Sequence, residues 1–459
     1  MVDSVPPADG PPSSDTPPPP RAEADAPSAG WKREVLAGLT TFLTMSYIAA
    51  VNPDILAATG LDREALVTAT VLAAAFGSML MGLVARLPYA LAPGMGINAF
   101  FAFELCGARG VPPEQALGLV VLSGLIFLLV SATSLRGNIA EAIPEHLREA
   151  IAGGIGLLLA VIALKNAGLV VPDAGAYDPQ EAPLAWRTML GVLDGRHLIF
   201  ALGLLLAAGL HRRGKAYAFL ASIGLCTVLG VAFDPGGWIE RPERIVAWPK
   251  ADLLFAADPV GAFEFTLLPP LLTLLFTDLF DSLSTFLGVA RAAGLVDEDG
   301  RPLRVERALL VDAAATLVSG IVGTSPATTY VESTAGIEVG GRTGLTAVVA
   351  GLAFLPLAFF APLLVMVPPF ATAPVLLLVG AFMLRPLTSL GERPLEEFLP
   401  VVLVLLLIPT TFSITHGILI GLLLHPLLFL LAGRASAVRA SAWVLFALAA
   451  GLLSMEFGG

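Results

Sequence analysis

From residue 31 onward, long apolar runs alternate with short charged or Pro- and Gly-rich stretches. Many of these runs reach the roughly 20 residues that an α-helix needs to cross a bilayer. A last apolar run, Trp443 to Phe457, fits either an interfacial helix or an extra span. The pattern therefore predicts an all-α membrane protein with fourteen transmembrane segments. They are 34–56, 64–85, 94–107, 114–134, 147–166, 197–211, 215–232, 267–289, 304–322, 328–339, 343–366, 370–389, 396–412 and 414–432.

The third and tenth segments differ from ordinary spanning helices. Their openings, 92–100 and 324–330, are rich in Pro, Gly and β-branched residues, which disfavour helix. Each opening predicts a short extended stretch followed by a half helix. Irregular backbone at membrane depth is tolerated only where protein encloses it or where it lines a cavity. Because three and ten are matching positions in two halves of seven, the breaks indicate two inverted repeats with a transport site between them.

Composition supports the membrane assignment. Hydrophobic residues make up 56% of the chain and charged residues 14%, and the mean hydropathy is +0.82. Soluble domains carry roughly 25% charged residues. Nucleic acid is not expected as a partner, since no basic patch with interleaved aromatic residues occurs. Two isolated cysteines, Cys106 and Cys226, are too few for a disulfide framework or a metal site, and no cofactor is predicted.

The first thirty residues form a separate region. Pro recurs there among Ser, Asp, Ala and Gly. Such a stretch cannot bury enough apolar surface to offset its ordering entropy, so residues 1–30 are predicted to be a disordered tail. The tail has no basic start followed by an apolar core, so it does not read as a cleavable signal peptide. The first membrane helix is then the targeting signal, and the predicted location is the cell (inner) membrane.

The distribution of Lys and Arg among the loops predicts the orientation. Basic residues concentrate in the cytoplasmic loops of membrane proteins. With Lys32 and Arg33 inside, the predicted inner loops carry most of the basic residues, including the cluster 211–215. The predicted outer loop 167–196 is rich in acidic residues. The predicted outer loop 233–265 is an exception to the pattern, because it also carries basic residues. Both termini are predicted to be cytoplasmic.

Two carboxylates within apolar segments are the main functional signal. Asp278 lies in the eighth segment, and Glu332 follows the break in the tenth. An ionised carboxylate at membrane depth is costly and usually marks a substrate site or a proton path. Two facing half helices would add free N–H groups, and Asn98 would add an amide with donors and an acceptor. This set predicts a transporter for a flat heterocycle, in which Asp278 and Glu332 can also carry a proton.

Six sequence blocks, which together span roughly residues 31–433, carry a family resemblance. They are Gly38–Ile48, Val51–Pro53, Ala92–Ala99, Ile143–Gly156, Thr277–Asp281 and Tyr330–Thr346. In these blocks the chain resembles the AzgA-like purine permeases, a branch of the nucleobase/ascorbate (xanthine/uracil permease) transporters. The resemblance implies a secondary active transporter that imports adenine, guanine and hypoxanthine by proton symport and commonly works as a homodimer.

The resemblance also implies a division into domains and a set of site residues. A core (transport) domain, residues 31–140 and 266–366, moves against a gate domain, residues 141–265 and 367–433, and residues 434–459 form a C-terminal apolar segment. The residues implied to bind substrate are Asp278, Glu332, Asn98, Gly96, Ala99, Ser282 and Tyr330, with Glu332 and Asp278 coupling the proton. Glu104 departs from the family pattern, which has an uncharged residue there, and its role is undefined.

Several alternatives stay open at this point. Asp278, Glu332 and Asn98 also fit structural roles in packing or capping, and Asp281 fits either support of the site or structure. A uracil or xanthine permease, or an anion transporter of the same fold, is the alternative function. An anion carrier would place basic residues at the half helices, a membrane enzyme would need a nucleophile–base pair or metal cluster, and a channel would need a continuous polar lining.

Overall fold

The computed structural model describes residues 30–133, 143–172, 188–191, 194–233, 239, 242–297 and 302–457. The predicted tail 1–30 lies outside the described residues apart from Gly30, and so does most of the acidic loop 167–196. The described chain is mainly helical. The helices are α1 Gly30–Met45, α2 Ile48–Leu56, α3 Arg63–Leu80, α4 Met95–Ala99, α5 Pro113–Ser131, α6 Glu145–Asn166, α7 Gly195–Arg212, α8 Ala218–Ala232, α9 Leu268–Ala293, α10 Val305–Val322, α11 Ser333–Val339, α12 Gly344–Phe354, α13 Ala361–Val365, α14 Pro369–Met383, α15 Leu395–Thr411, α16 Ile414–Leu431 and α17 Ala440–Phe457.

Every one of the fourteen predicted segments coincides with a helix, a pair of helices or a strand followed by a helix. Within the described ranges, seven helical spans are long and apolar enough to cross a membrane. They are Gly30–Thr59, Arg63–Ala85, Pro113–Ser131, Glu145–Asn166, Phe265–Arg291, Gly344–Val365 and Ile414–Leu431. Shorter apolar helices lie among them, at Met95–Ala108, Ala218–Ala232, Pro369–Met383 and Ala440–Ser454. The prediction of an all-helical membrane protein is confirmed.

The predicted breaks in the third and tenth segments are also confirmed. Strand β1, Leu91–Pro93, pairs antiparallel with strand β4, Ala327–Thr329, although the two are far apart in the sequence. The strands β2, Val170–Pro172, and β3, Thr188–Leu190, form a second short pair. Pro and Gly at the ends of β1 prevent the chain from continuing as a helix, so the strand pair satisfies backbone groups that an unbroken helix would have satisfied itself.

Glycines let helices approach closely on each side of the interface between the two predicted domains. A Cβ on Gly344 would lie 1.9 Å from the carbonyl oxygen of Gly82, where α12 begins beside the end of the segment that contains α3. A Cβ on Gly156 in α6 would lie 2.6 Å from the carbonyl oxygen of Gly380 in α14. Neither position has room for a side chain, so these contacts fix tightly packed helix pairs.

The C-terminal helix α17 packs along α16 rather than across its end. Phe429, near the end of α16, contacts Ala442 near the start of α17. Leu452, further along α17, lies near Ile418 at the start of α16. The two helices are therefore antiparallel over most of their length, as in a membrane hairpin. This packing carries the end of α17 back towards the start of α16.

The segment before α9 packs on helices of the predicted core domain. The amide of Phe255 donates to Ile321 in α10 at 2.8 Å, and the amide of Asp258 donates to Glu114 in α5 at 2.8 Å. Lys250 Nζ lies 3.1 Å from Glu64 Oε2 in α3. The sequence assigned residues 141–265 to the gate, but these contacts attach the last part of that range to the core.

Candidate functional site

The crossing of β1 and β4 forms the centre of the candidate site. Ala92 faces Thr328 in the register, and the amide of Gly94 donates to the carbonyl of Pro326 at 2.9 Å. The hydroxyl of Tyr330 donates to the carbonyl of Pro93 at 2.5 Å. Helices α4 and α11 begin directly after these strands, so the first turns of the two half helices are held side by side. Tyr330, for which contact with substrate stays a prediction, thus joins the two broken segments.

Asn98 is buried beside the crossing and keeps an unpaired donor. Its side-chain carbonyl accepts a hydrogen bond from the hydroxyl of Ser325. Its Nδ2 makes no hydrogen bond to any of the described residues. A buried amide with a free N–H is costly unless a ligand or water completes it. Asn98 therefore has a donor suited to a carbonyl or ring nitrogen.

Asp278 and Ser282 lie one helical turn apart on α9 and face α10. Asp278 is fully buried, and its Oδ2 accepts a hydrogen bond of 2.6 Å from Thr316. Ser282 is also fully buried and donates to Asp312, and its oxygen lies 3.0 Å from Thr328 Oγ1. Both side chains thus support strand β4 from behind. The structure does not bring them to an accessible surface together with Glu332.

Asp281, next to Asp278 on the helix, lies on the accessible face of α9. It is partly exposed, and the residues that continue its stripe, Ser284, Gly288 and Arg291, are exposed. A stripe facing lipid would be apolar, whereas this one is small and polar, as expected for the wall of an aqueous opening. The stripe runs towards the end of α9 at Ala293, the end that its basic residues predict to be cytoplasmic.

Glu332, three residues after the end of strand β4, is also partly exposed. Glu332 Oε1 accepts a hydrogen bond of 2.8 Å from the hydroxyl of Tyr47, which lies between α1 and α2. The backbone carbonyl of Glu332 also faces the hydroxyl of Thr44, at 3.4 Å. One oxygen of Glu332 is thus held by the protein, and the other can accept a proton or a hydrogen bond from a ligand.

The small residues of the third segment pack against the gate. Gly96 is partly exposed, and a Cβ at this position would lie 2.4 Å from a methyl group of Ile155 in α6. Ala99 is fully buried. The family resemblance implied that both bind substrate. Gly96 permits a close approach of the core to α6, so a larger residue would push the two apart.

Glu104 lies outside the crossing and joins the third segment to the gate. Its carboxylate is 1% exposed and accepts hydrogen bonds from Ser413 Oγ at 2.9 Å and from the amide of Ile414 at 2.6 Å. Arg109 lies 3.4 Å from the same group. Glu104 therefore caps the first turn of α16 from across the interface, where a carboxylate is favourable. This contact explains a charge that the sequence could not place.

A cavity of about 740 Å³ lies beside Glu104 but is not the candidate site. Its wall includes Pro269 on α9 and His416 on α16. Twelve residues of helix separate Pro269 from Asp281, or about 18 Å at a rise of about 1.5 Å per residue. The cavity is therefore at the end of the molecule opposite the opening near Asp281, where Glu104 holds the core and the gate together.

Removing the carboxylate of Glu104 should weaken this contact. In Glu104→Ala, the donors of Ser413 and Ile414 lose their acceptor, and we expect a loss of about 1–3 kcal/mol of stability. Thermal unfolding of the purified protein in detergent measures the effect. Glu338→Gln, a change at an exposed acid on α11, is the matched control and should leave the melting temperature unchanged. Equal melting temperatures for Glu104→Ala and the wild type would show that the cap does not stabilise the fold.

Sequence reasoning missed Tyr47 and underrated Asp281. Tyr47 lies within one of the resemblance blocks, but its partner Glu332 is 285 residues away, and no local pattern indicates that contact. For Asp281 a signal existed, since Asp281, Ser284 and Gly288 recur at helical spacing as small or polar residues. On the neighbouring face of the helix, Asp278 is followed by Ser282, which is also polar. The sequence alone therefore does not tell which of the two faces is exposed.

Comparison with known proteins identifies the family. A family profile described as "Permease family" matches residues 32–420. The chain is 38% identical over 406 residues to the adenine permease AdeP of Escherichia coli, covering 88% of each protein. It is 36% identical over 436 residues to the guanine/hypoxanthine permease PbuG of Bacillus subtilis, covering 92% of this chain and 96% of that protein.

The fold has a counterpart among solved structures. It is similar to the transmembrane domain of the cyanobacterial bicarbonate transporter BicA, with a TM-score of 0.63 and 16% identity, covering 84% of this chain and 97% of that one. At this identity the likeness concerns the fold alone. The sequence relatives carry the assignment further: the chain belongs to the permease family, among the AzgA-like purine permeases, and is a transporter rather than an enzyme.

Proposed function

We propose that this protein imports the purine nucleobases adenine, guanine and hypoxanthine by proton symport. The observation that carries the proposal is the pair of partly exposed carboxylates, Asp281 and Glu332, together with the unpaired Nδ2 of the buried Asn98. The acids accept hydrogen bonds from ring N–H groups, and the amide donates to a carbonyl or ring nitrogen. A flat base that has both kinds of group on adjacent edges complements this set.

Asp281, rather than Asp278, is the acid that we propose contacts the base. The family resemblance implied this role for Asp278, whose side chain is fully buried against Thr316. Asp278 would then hold strand β4 in place and influence the base only through that strand. Ser282, bonded to Asp312, would act in the same way.

The relatives favour a purine over the alternatives. The names of AdeP and PbuG specify adenine, and guanine and hypoxanthine, respectively. The fold is shared with a bicarbonate transporter, but two acids at the opening would repel an anion, which weighs against anion transport.

Proton symport and alternating access follow from the same geometry. A carboxylate that holds a base can also bind a proton, so loading of the two can be linked. We propose that the core and gate domains, in two inverted repeats of seven segments, move against each other. Contacts at Gly96, Tyr47 and Glu104 would mark the interface, with the N-terminus in the cytoplasm. The homodimer that the resemblance implies is a further proposal, which crosslinking in membranes would test.

Competition for uptake tests the substrate. In cells that express the protein, unlabelled adenine, guanine or hypoxanthine should block uptake of labelled hypoxanthine at concentrations more than about tenfold below those needed for uracil. A site whose buried groups match one ligand discriminates strongly against others. A protonophore should abolish accumulation, and removal of sodium should not. Equal competition by uracil would refute purine preference, and sodium-driven uptake insensitive to protonophore would refute proton symport.

A further inference from the structure

Tyr47 has one end in the candidate site and the other against the gate. Its side chain is 1% exposed, and its hydroxyl donates to Glu332 Oε1 at 2.8 Å. Its ring packs edge-on against Phe219 in α8, with centroids 5.1 Å apart and planes at 87°. Glu332 belongs to the core and Phe219 to the gate. A single rigid side chain therefore contacts both bodies that are proposed to move.

Beyond Phe219, the aromatic contacts continue through the gate. Phe219 stacks on His211 of α7 at 5.6 Å, with the rings 6° from parallel. His211 contacts Phe382 of α14 at 4.8 Å, and the guanidinium of Arg385 lies 4.4 Å from the Phe382 ring. The ring of Tyr47 is thus packed against a continuous row that joins three gate helices. A shift of these helices would change the packing of Tyr47 directly.

We propose that Tyr47 is a positioning residue that couples Glu332 to the gate. The inference rests on the proposed function, because it takes Glu332 as the acid that meets substrate and proton. The hydroxyl orients the carboxylate, and the ring follows the position of α8. Tyr has few rotatable bonds, so a displacement at one end reaches the other. By thermodynamic linkage, any influence of the gate on the carboxylate implies an equal influence of the carboxylate on the gate.

Two variants test the hydroxyl and the ring contact of Tyr47 separately. Tyr47→Phe removes the hydroxyl and keeps the ring, so substrate Kd should rise about tenfold while the maximal uptake rate stays near normal. Phe219→Leu removes the ring contact, so the uptake rate should fall several-fold with Kd unchanged. Tyr89→Phe is the control, because Tyr89 is equally buried and its hydroxyl has no partner among the described residues. Loss of rate without loss of affinity in Tyr47→Phe would overturn the assignment.

A second measurement needs no substrate. Ser284→Cys, in a background in which Cys106 and Cys226 are replaced by Ser, places a thiol on the exposed stripe of α9, where its labelling rate reports the opening. Glu332→Gln should change that rate several-fold when Tyr47 is present and leave it unchanged in Tyr47→Phe. The same change in both backgrounds, or no change in either, would show that Tyr47 does not carry the coupling. Absence of base binding by the wild type would refute the proposed function alone.

Discussion

We expect uptake to fall at least about a hundredfold when Glu332 is replaced by glutamine. The oxygen that accepts the hydrogen bond from Tyr47 is preserved, because glutamine keeps a carbonyl oxygen. The other oxygen becomes an NH₂ group, so a donor faces the ring N–H of the base where an acceptor stood. Such a mismatch costs about 1–3 kcal/mol, or roughly ten- to a hundredfold in affinity, and the variant can no longer carry a proton.

Binding and uptake must both be measured for this variant. A thermal-shift titration of purified protein with hypoxanthine gives the affinity, and uptake of labelled hypoxanthine in cells gives transport. Glu338→Gln, which changes an exposed acid on the same half helix, serves as the control and should behave like the wild type. Near-normal binding by Glu332→Gln would place the site elsewhere.

We expect that replacing Asp281 with asparagine reduces hypoxanthine affinity by more than about tenfold, whereas Asp278→Asn changes it by less than about threefold. Asp281 is partly exposed, so the amide of the asparagine would present a donor to the base. Asp278 is fully buried, and asparagine can still accept the hydrogen bond from Thr316. A single lost or mismatched partner accounts for a difference of this size.

The pair of variants distinguishes two readings of the same helix. Affinity and melting temperature are measured for each purified variant, so that a loss of folding is not mistaken for a loss of binding. A larger loss of affinity in Asp278→Asn than in Asp281→Asn, at similar stability, would restore the assignment that the sequence suggested and contradict the one proposed from exposure.

The amino-acid sequence alone determined the class of the protein and the places where its helices break. Apolar runs of membrane length are a local property, and so are the Pro and Gly residues that prevent helix at the third and tenth segments. The family resemblance also depended on short blocks. For the same reason, Asn98 and Glu332 could be found directly: each follows a break that the sequence itself marks.

Tertiary structure decided which side chains face the opening. Asp278 and Asp281 are three residues apart, so they point only about 60° apart around the helix, and their neighbours are polar on both faces. Only the packing of α10, whose Thr316 donates to Asp278, buries Asp278 while Asp281 stays partly exposed. The partners of Tyr47 and Glu104 were hidden for a related reason: each contact joins segments about 300 residues apart, and no local periodicity encodes which distant helix will pack there.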